Sequence, residues 1–463
     1  MKHTPTKKIG VFSLVMMNIM AVDSLRSLPV AAQFGYALLF FYCLAAVLFF
    51  IPTALVTAEL ATTWPNTGGA YTWIRMAFGI RWGWLAIWLQ WIYNVVWYPV
   101  ILAFVIATIA YLFSPNLIQH KSFLLIVLLS IWWCVTGLSL LGLRVSTWLS
   151  RLGALVGTLL PLLFIITLAC LWIQAHKPLA IQLIPANFLP NWHDFNNLAF
   201  FTTLIFGLMG LEMSAVHAGD VLNPQKNFPL ALFWSAGLIL LTLILGAIAI
   251  ALIVPLDQLS ILSGLNNAYS LFFLKFNLKV LLPFFLLLII FGSLCSVSTW
   301  VIGPTRGLLV ATLENETKNL SWFTKLNRFD APVNLLLFQG ALVSLLAALF
   351  ILIPTVKEAY WLLSVMTAQL ALLFYILLFL AALRLRYTAI EPRRGYQIPG
   401  GLAGMWITAG IAIVTCLATF ILGFFPPSTI ATHNLYKFDG ILILGMLLAC
   451  MPAYWVTQAT KVN

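Results

Sequence analysis

The feature that most constrains this chain is a series of long apolar runs joined by short polar connections. A helix needs roughly 20 apolar residues to cross the hydrocarbon core of a bilayer. The runs of that length cover residues 9–31, 36–63, 82–113, 122–140, 147–173, 195–218, 228–253, 280–304, 332–353, 358–383, 402–425 and 438–457. They predict an all-α integral membrane protein with twelve transmembrane helices. The shorter run 264–277 predicts an external helix lying on the surface.

The composition identifies lipid as the main solvent of this chain. Hydrophobic residues make up 62% of the sequence and charged residues only 8%, whereas soluble domains are about half apolar and a quarter charged. A net charge of +12 can indicate a protein that binds nucleic acid. The basic residues are scattered in short clusters between apolar runs, so we expect no nucleic-acid partner.

The distribution of Lys and Arg predicts the orientation. With the amino terminus in the cytoplasm, 17 of the 24 basic residues fall on cytoplasmic segments, 6 on external segments and Arg26 within the first helix. The positive-inside rule then places both termini in the cytoplasm, with the chain in the plasma membrane. No small-residue cleavage site follows the basic start, so we expect the first helix to be retained.

The sequence carries none of the patterns expected of an enzyme or a channel. The six cysteines and six histidines are dispersed, with no metal-ligand spacing. No zinc-protease motif or facing catalytic acids lie at membrane depth, and no repeated pore segment is present. We therefore expect no catalytic residue, no metal and no cofactor.

The first helix contains a polar cluster at membrane depth. Asp23, Ser24 and Arg26 interrupt its apolar run, and Pro29 follows. Each charge costs roughly 2.5–3.5 kcal/mol to insert, so such residues mark functional sites. The cluster predicts a broken helix whose freed backbone groups line a transport cavity. The alternative is that Asp23 and Arg26, three residues apart, only pair with each other.

The sixth helix carries a second candidate break. Gly207 and Gly210 are three residues apart and are followed by Glu212. Small residues at this spacing also serve close helix packing, which is the alternative interpretation. Breaks in the first and sixth helices are what two inverted repeats of five helices would give.

That arrangement divides the chain into four parts. Residues 1–8 form a cytoplasmic tail, 9–194 the first repeat with helices one to five, and 195–384 the second repeat with helices six to ten. Residues 385–463 form helices eleven and twelve and a short cytoplasmic carboxy terminus.

Other polar residues are weaker candidates. On the third helix, Gln90, Asn94 and Trp97 share one face, which either borders the cavity or bonds neighbouring helices. Thr367 and Gln369 are similar candidates on the tenth helix. Glu59 is expected to pair with a loop base, Arg75 or Arg81. Four hydroxyl side chains of the eighth helix would suit a sodium site: Ser293, Ser296, Ser298 and Thr299. Such residues more often serve helix packing.

Several ordered stretches resemble the amino acid–polyamine–organocation superfamily of transporters. They are ELATTWPNTGGAYTW (59–73), MGLEMSAVH (209–217) with the following Asn223-Pro224 and FPLA (228–231), STWVIGPTRG (298–307) and YQIPGG (396–401). The last two are similar to the bacterial glutamate/γ-aminobutyrate antiporter subgroup in particular. The resemblance covers nearly the whole chain.

The resemblance implies the leucine-transporter fold. It also implies that the protein exchanges an amino acid for a related amino acid or amine, independently of sodium and by alternating access. It suggests an aromatic gate at Phe206, a coupling or gating acid at Glu212 and a path-lining aromatic at Trp300. The expected substrate-binding residues are Val22, Asp23, Ser24, Arg26, Asn94, Trp97, Phe206, Gly207, Met209, Gly210 and Trp300. The expected gating or coupling residues are Asp23, Phe206, Glu212 and Trp300.

One departure leaves the substrate open. Relatives often carry a Gly-Ser-Gly-like stretch where this chain has Val22-Asp23-Ser24. An acid there would repel a substrate carboxylate, unless Arg26 or a proton neutralises it. Arg26 favours acidic amino acids and Asp23 favours cationic amino acids or polyamines, while proton-coupled uptake of neutral amino acids is a third alternative. The expected partners are the small-molecule substrate and the lipid bilayer, and the oligomeric state stays open, with a homodimer among the alternatives.

Overall fold

The computed structural model describes residues 9–65, 68–181, 184, 187–190, 195–256, 259–314, 318–388, 395–427 and 435–459. The predicted tail over residues 1–8 and the last residues, 460–463, lie outside this part of the chain. Within it, helices dominate, and the described residues form no β-strand beyond two isolated bridges.

Among the described residues, twelve helical segments are long and apolar enough to cross a membrane, as the sequence predicts. We number them as spans 1 to 12: Val11–Ala32, Gly35–Thr63, Ile80–Phe113, Lys121–Ser139, Trp148–Gln174, Leu198–Asp220, Pro224–Ala251, Lys279–Glu314, Val333–Leu352, Val356–Thr388, Gly401–Leu422 and Leu435–Ala453. An even number of membrane crossings brings the beginning of span 1 and the end of span 12 to the same side, which we call the terminal face.

Several of the spans are not continuous α-helices. Span 1 consists of Val11–Val22, the 3₁₀ turn Leu25–Ser27 and Leu28–Ala32. Span 6 combines the α-helix Phe195–Gly207, which begins three residues before the span, with the 3₁₀ segment Leu211–Asp220. π-Helical turns interrupt span 2 at Ala46–Phe50 and span 5 at Gly153–Leu159. The predicted breaks in the first and sixth helices are therefore confirmed.

Shorter helices occupy the connections. They are Ala70–Phe78 after span 2, Pro115–Gln119 after span 3, Gly264–Lys275 after span 7 and Lys318–Thr324 after span 8. The helix predicted at 264–277 is present, but it does not lie on the surface. Its Tyr269 is fully buried, and the Tyr269 hydroxyl donates to the Pro161 carbonyl oxygen at 2.6 Å.

Span 8 is longer than the sequence predicts. The expected end was residue 304, yet the helix continues through Pro304 to Glu314. Proline removes a backbone donor and usually bends or ends a helix. Here Thr305 donates its hydroxyl to the Val301 carbonyl oxygen, which gives one carbonyl of this turn a side-chain donor.

The spans differ in how much of their surface the protein covers. In spans 3 and 6, 83% of the residues in the most apolar 18-residue stretch are buried. In span 12 the corresponding share is only 17%. The broken span 6 therefore lies inside the bundle, and span 12 faces lipid. Polar groups can be kept at membrane depth only where protein surrounds them, so the interior spans are the ones able to carry a site.

Spans 5 and 8 approach each other through glycine. A Cβ atom added to Gly157 would lie 2.3 Å from the Cα of Gly292, closer than any side chain can come to a backbone. Small residues allow this contact between membrane helices, where dispersion forces and not the hydrophobic effect hold helices together. Gly153, one helical turn before Gly157, faces Met20 of span 1 and Cys295 of span 8. The contact of spans 5 and 8 therefore lies beside the first half-helix of span 1, Val11–Val22.

A short backbone bridge ties the start of span 1 to the end of span 6. The Ile9 amide donates to the Asp220 carbonyl oxygen at 3.2 Å, and the Leu222 amide donates to the Ile9 carbonyl oxygen at 3.0 Å. This bridge lies at the terminal face.

Candidate functional site

The break in span 1 exposes backbone groups that span 8 engages. The α-helix ends at Val22, and Ser24 is extended, with φ −105° and ψ 115°. The Trp300 indole N–H donates to the Ala21 carbonyl oxygen at 3.2 Å, and the Ser296 hydroxyl donates to the Met20 carbonyl oxygen at 3.1 Å. Side chains of span 8 therefore satisfy the last carbonyls of the first half-helix.

The break in span 6 depends on Gly210. Its φ of +122° lies where side chains are rarely tolerated, and an added Cβ would lie 2.9 Å from the Trp300 ring. The Gly210 amide donates to the Tyr375 hydroxyl at 2.8 Å, and that hydroxyl donates to Glu212 Oε2 at 2.5 Å. Span 10 thus holds both the opened backbone and the acid that follows it.

A cavity lies between the two breaks. Its volume in this state is about 40 Å³, so the side chains around it leave little free space. The residues that line it are Ala21, Val22, Ser24, Arg26, Tyr93, Asn94, Trp97, Phe206, Gly207, Met209, Trp300 and Thr367. We call it the central cavity. Nine of the eleven expected substrate-binding residues are among these, and the two that are not are Asp23 and Gly210.

Arg26 is the charged side chain of the central cavity. It is only 6% exposed, and its guanidinium donates to the Tyr360 hydroxyl at 2.9 Å. The guanidinium carbon also lies 5.6 Å from the centre of the Phe206 ring, at cation–π distance. No carboxylate pairs with Arg26 in the described part of the chain.

Asp23 faces away from the central cavity. Its Oδ2 lies at hydrogen-bond distance, 2.9 Å, from the Thr242 hydroxyl oxygen of span 7. The alternative in which Asp23 and Arg26 pair is wrong, because the broken backbone directs the two side chains to different partners, Thr242 and Tyr360. In a continuous helix they would share one face.

The aromatic lining extends beyond the residues expected from the sequence. Tyr93 and Ala21 were not expected there, whereas Thr367 was a weaker candidate. The Tyr93 ring lies 6.2 Å from that of Trp300, and the Trp97 ring lies 6.0 Å from it. Tyr93 is four residues before Trp97 on the same helix face, so the helical period was the signal that pointed to it.

Gln90 and Gln369, by contrast, do not line the cavity. The Gln90 amide lies against the Met213 sulfur at 3.5 Å, and the Gln369 amide donates to the Phe420 carbonyl oxygen at 3.0 Å. Both bond neighbouring helices, which was the alternative interpretation for Gln90.

Glu59 forms a buried ion pair near the terminal face. Arg386 Nη1 lies 2.5 Å from Glu59 Oε1, with side-chain exposures of 4% and 0%. The Ile398 amide donates to the other carboxylate oxygen at 2.8 Å. Burial and the Glu59 charge raise the pKa of Tyr396, which lies in the connection after span 10. The expected pairing of Glu59 with a base of the following loop is wrong.

The reason lies in the long tenth helix. Span 10 continues to Thr388, and this extension brings Arg386 to the buried end of span 2. Arg75 instead pairs with Glu314 at the end of span 8, where both side chains are more than a third exposed.

Comparisons with known proteins agree with this architecture. Residues 9–447 match the amino acid permease family. An uncharacterized transporter of Legionella pneumophila is 49% identical over 448 residues, which cover 97% of this chain and 96% of that protein. A glutamate/γ-aminobutyrate antiporter of Lactococcus lactis is 28% identical over 78% of this chain and 72% of its own. A probable agmatine/putrescine antiporter of the same species is 25% identical over 65% of this chain and 64% of its own.

The match to the family extends over nearly the whole chain and includes all the residues that line the central cavity. The matched relatives are named as transporters and not as enzymes. The resemblance drawn from the sequence motifs is therefore confirmed. This chain belongs to the amino acid permease family, within the amino acid–polyamine–organocation superfamily, and is a multi-pass amino acid transporter.

Proposed function

We propose that this transporter is an antiporter that exchanges an acidic amino acid for a related amino acid or amine. The observation that carries the proposal is the position of Arg26, a buried cation that lines the central cavity without a carboxylate partner in the described residues. A buried charge is stabilised only when a group of opposite charge or strong hydrogen bonds compensate for lost water. A second carboxylate on the substrate would supply that group.

The geometry favours a side-chain carboxylate at Arg26. Guanidinium and carboxylate groups form paired, charge-assisted hydrogen bonds. The Tyr360 hydroxyl and the Phe206 ring orient Arg26 from two sides. Trp97 and Trp300 provide apolar walls for the carbon chain of the substrate, and their ring faces suit its ammonium group.

The names of two relatives support exchange. The Lactococcus lactis relative at 28% identity is named for glutamate and γ-aminobutyrate, and both carry a carboxylate at the end of a short carbon chain. The more distant agmatine/putrescine relative transports cations by its name. In this chain Asp23 lies outside the central cavity and Arg26 within it, which disfavours a cationic substrate.

We also propose alternating access, with substrate bound at the breaks and spans 1–5 and 6–10 acting as inverted repeats. The distribution of basic residues supports cytoplasmic termini in the inner membrane of a bacterium. Sodium independence is supported by the Ser296 hydroxyl, which donates directly to the Met20 carbonyl oxygen at 3.1 Å, so that a proton donor satisfies this carbonyl. A homodimer remains an expectation.

A counterflow experiment tests the proposal. Purified protein is reconstituted into liposomes loaded with unlabelled L-glutamate, and uptake of labelled L-glutamate is measured with sodium or with choline as the external cation. We expect saturable uptake in both media, competition by γ-aminobutyrate and little competition by agmatine or putrescine. Preference for the amines or for L-serine would overturn the acidic substrate, and uptake that ignores the internal amino acid would overturn exchange.

A further inference from the structure

Asp23 is a buried acid that belongs to no ion pair in the described part of the chain. It lies at the break of span 1, is 3% exposed and faces span 7 instead of the central cavity. Its Oδ2 lies 2.9 Å from the Thr242 hydroxyl oxygen, and its Oδ1 is buried without a hydrogen-bond partner. Neither transport of an acidic substrate nor the architecture of the break accounts for this carboxyl group.

The hydrogen bonds of Thr242 show where a proton belongs. The Thr242 hydroxyl oxygen is 2.7 Å from the Leu238 carbonyl oxygen and 3.1 Å from that of Ile239, in addition to its contact with Asp23. A hydroxyl has a single proton to donate but can accept two hydrogen bonds. Buried threonines in helices commonly donate to the carbonyl four residues earlier, which here is Leu238. Once that bond is made, the contact with Asp23 requires a proton on the carboxyl group.

The two protonation states of Asp23 are satisfied to different extents. As a carboxylate, Asp23 competes with Leu238 for the one Thr242 proton, and Oδ1 receives no donor. As a carboxylic acid, it donates to Thr242, which in turn donates to Leu238, and no net charge is left in the interior. Buried charges without a partner are far more costly than buried neutral groups. The protein environment therefore satisfies the acid form.

The neighbouring titratable groups do not neutralise Asp23. On span 1 and the elements around it, the charged and titratable groups include Arg26, Tyr42 of span 2, Arg151 of span 5, Glu212, His217 and Asp220 of span 6, Lys226 of span 7, and Cys295 and Arg306 of span 8. Asp220 pairs with Arg306. Arg26 bonds Tyr360, Glu212 bonds Tyr375, and the ring of His217 lies against Arg306. Tyr42 is within electrostatic reach of Asp23, and it lines a small internal cavity with Ser27, Gly207 and Leu243. That cavity adjoins the central cavity at Gly207.

We propose that Asp23 is a proton-binding site of the transport cycle. Asp23 takes a proton from water when the break of span 1 opens to one side, is enclosed with that proton in the state described here, and returns it to water on the other side. Val22 and Ser24, its neighbours in the chain, line the central cavity, so substrate and proton act on the same break. One proton moves between water and a carboxylate oxygen, and no bond of the substrate changes.

Infrared difference spectroscopy tests the site without any substrate. The purified protein is titrated in liposomes, and the carbonyl stretch of a protonated carboxylic acid is followed as the pH rises. We expect a band in the parent protein that Asp23→Asn removes. The matched variant Asp439→Asn, which changes an acid in span 12 to its amide, should keep it. Because Glu212 is a second buried acid, the decisive result is the difference between variants: a band of unchanged amplitude and midpoint in Asp23→Asn would overturn the proposal.

A second variant gives a signed prediction and does not depend on the folding of Asp23→Asn. Thr242→Val keeps the shape of the side chain but removes the acceptor for the proton of Asp23. The midpoint of the band should then move to lower pH, and Thr242→Ser should restore it. If Thr242 instead stabilises a carboxylate by donating to it, the midpoint would move to higher pH, which would overturn the proposal.

The role in transport rests on the proposed function, and the two can fail separately. In L-glutamate counterflow at pH 5 and pH 7, we expect the parent rate to fall by up to about tenfold per pH unit once Asp23 loses its proton. The ratio of the two rates should approach one in Asp23→Asn, and an unchanged ratio would contradict the proposal. Exchange without an Asp23 band would overturn the proton site alone. A band without exchange of any amino acid would overturn the proposed function alone.

Discussion

The guanidinium of Arg26 donates to the Tyr360 hydroxyl at 2.9 Å, and this bond joins the break of span 1 to the beginning of span 10. The two residues are 334 positions apart in the sequence. Because Tyr360 is neutral, the bond orients the cation without neutralising it. The central cavity thus keeps a fixed positive charge for a substrate.

Replacing Arg26 tests that role. We expect Arg26→Gln to raise the KM for L-glutamate by roughly 10- to 150-fold, the equivalent of about 1.5–3 kcal/mol for a hydrogen bond to a charged group. Arg26→Lys should retain part of the affinity, because it keeps the charge but loses the planar geometry. Tyr360→Phe serves as the control for orientation alone, with a smaller rise. Competition assays in liposomes measure these values, and an unchanged KM in Arg26→Gln would contradict the proposed substrate.

A methyl group at Gly210 should abolish transport. The backbone conformation at φ +122° costs a residue with a side chain roughly 1–3 kcal/mol, and the added Cβ would meet the Trp300 ring at 2.9 Å. We expect Gly210→Ala to lose counterflow activity while still reaching the membrane. The control is Gly237→Ala in span 7, where an added Cβ meets nothing within 4 Å. Equal activity of both variants would mean that the break tolerates a side chain.

The ion pair of Glu59 and Arg386 should contribute far more to stability than that of Arg75 and Glu314. Removing one partner of a buried pair leaves an unpaired charge and costs about 3–5 kcal/mol, whereas exposed pairs contribute at most about 1 kcal/mol. Glu59→Gln should therefore lower the free energy of unfolding in mixed detergent micelles much more than Glu314→Gln. Similar losses for the two variants would show that burial does not set the strength of these pairs.

The contact of spans 5 and 8 gives a further prediction. Gly157→Ala forces a methyl group against the backbone of Gly292, and overpacking of this kind costs typically about 1–3 kcal/mol. We expect a lower thermal unfolding midpoint in detergent. Gly137→Ala in span 4 is the matched control, because an added Cβ there meets nothing within 4 Å. A midpoint equal to that of the control would argue that the two spans move apart at no cost.

The sequence predicts the twelve spans well because lipid imposes a simple requirement of length and hydrophobicity. It also predicts the two breaks, since Pro29, Gly207 and Gly210 weaken helices for local reasons. Local rules extend to Asn94 and Trp97, whose helical spacing places them on the face that lines the cavity.

Partners distant in the sequence could not be predicted in the same way. Glu59 was expected to pair with a base of the next loop, but its partner Arg386 comes from the end of span 10, 327 residues later. Asp23 and Arg26 are neighbours in one helical turn only if the turn exists. The break rotates them apart, and the direction of that rotation depends on where Thr242 and Tyr360 lie in the folded bundle.

The backbone bridge at Ile9 has a mechanical consequence. Two backbone hydrogen bonds join the residue before span 1 to the end of span 6. The half-helices of these two spans on the terminal face are therefore mechanically coupled. In the proposed alternating-access cycle, we expect these half-helices to move together, so that this side of the transporter opens in a single concerted step.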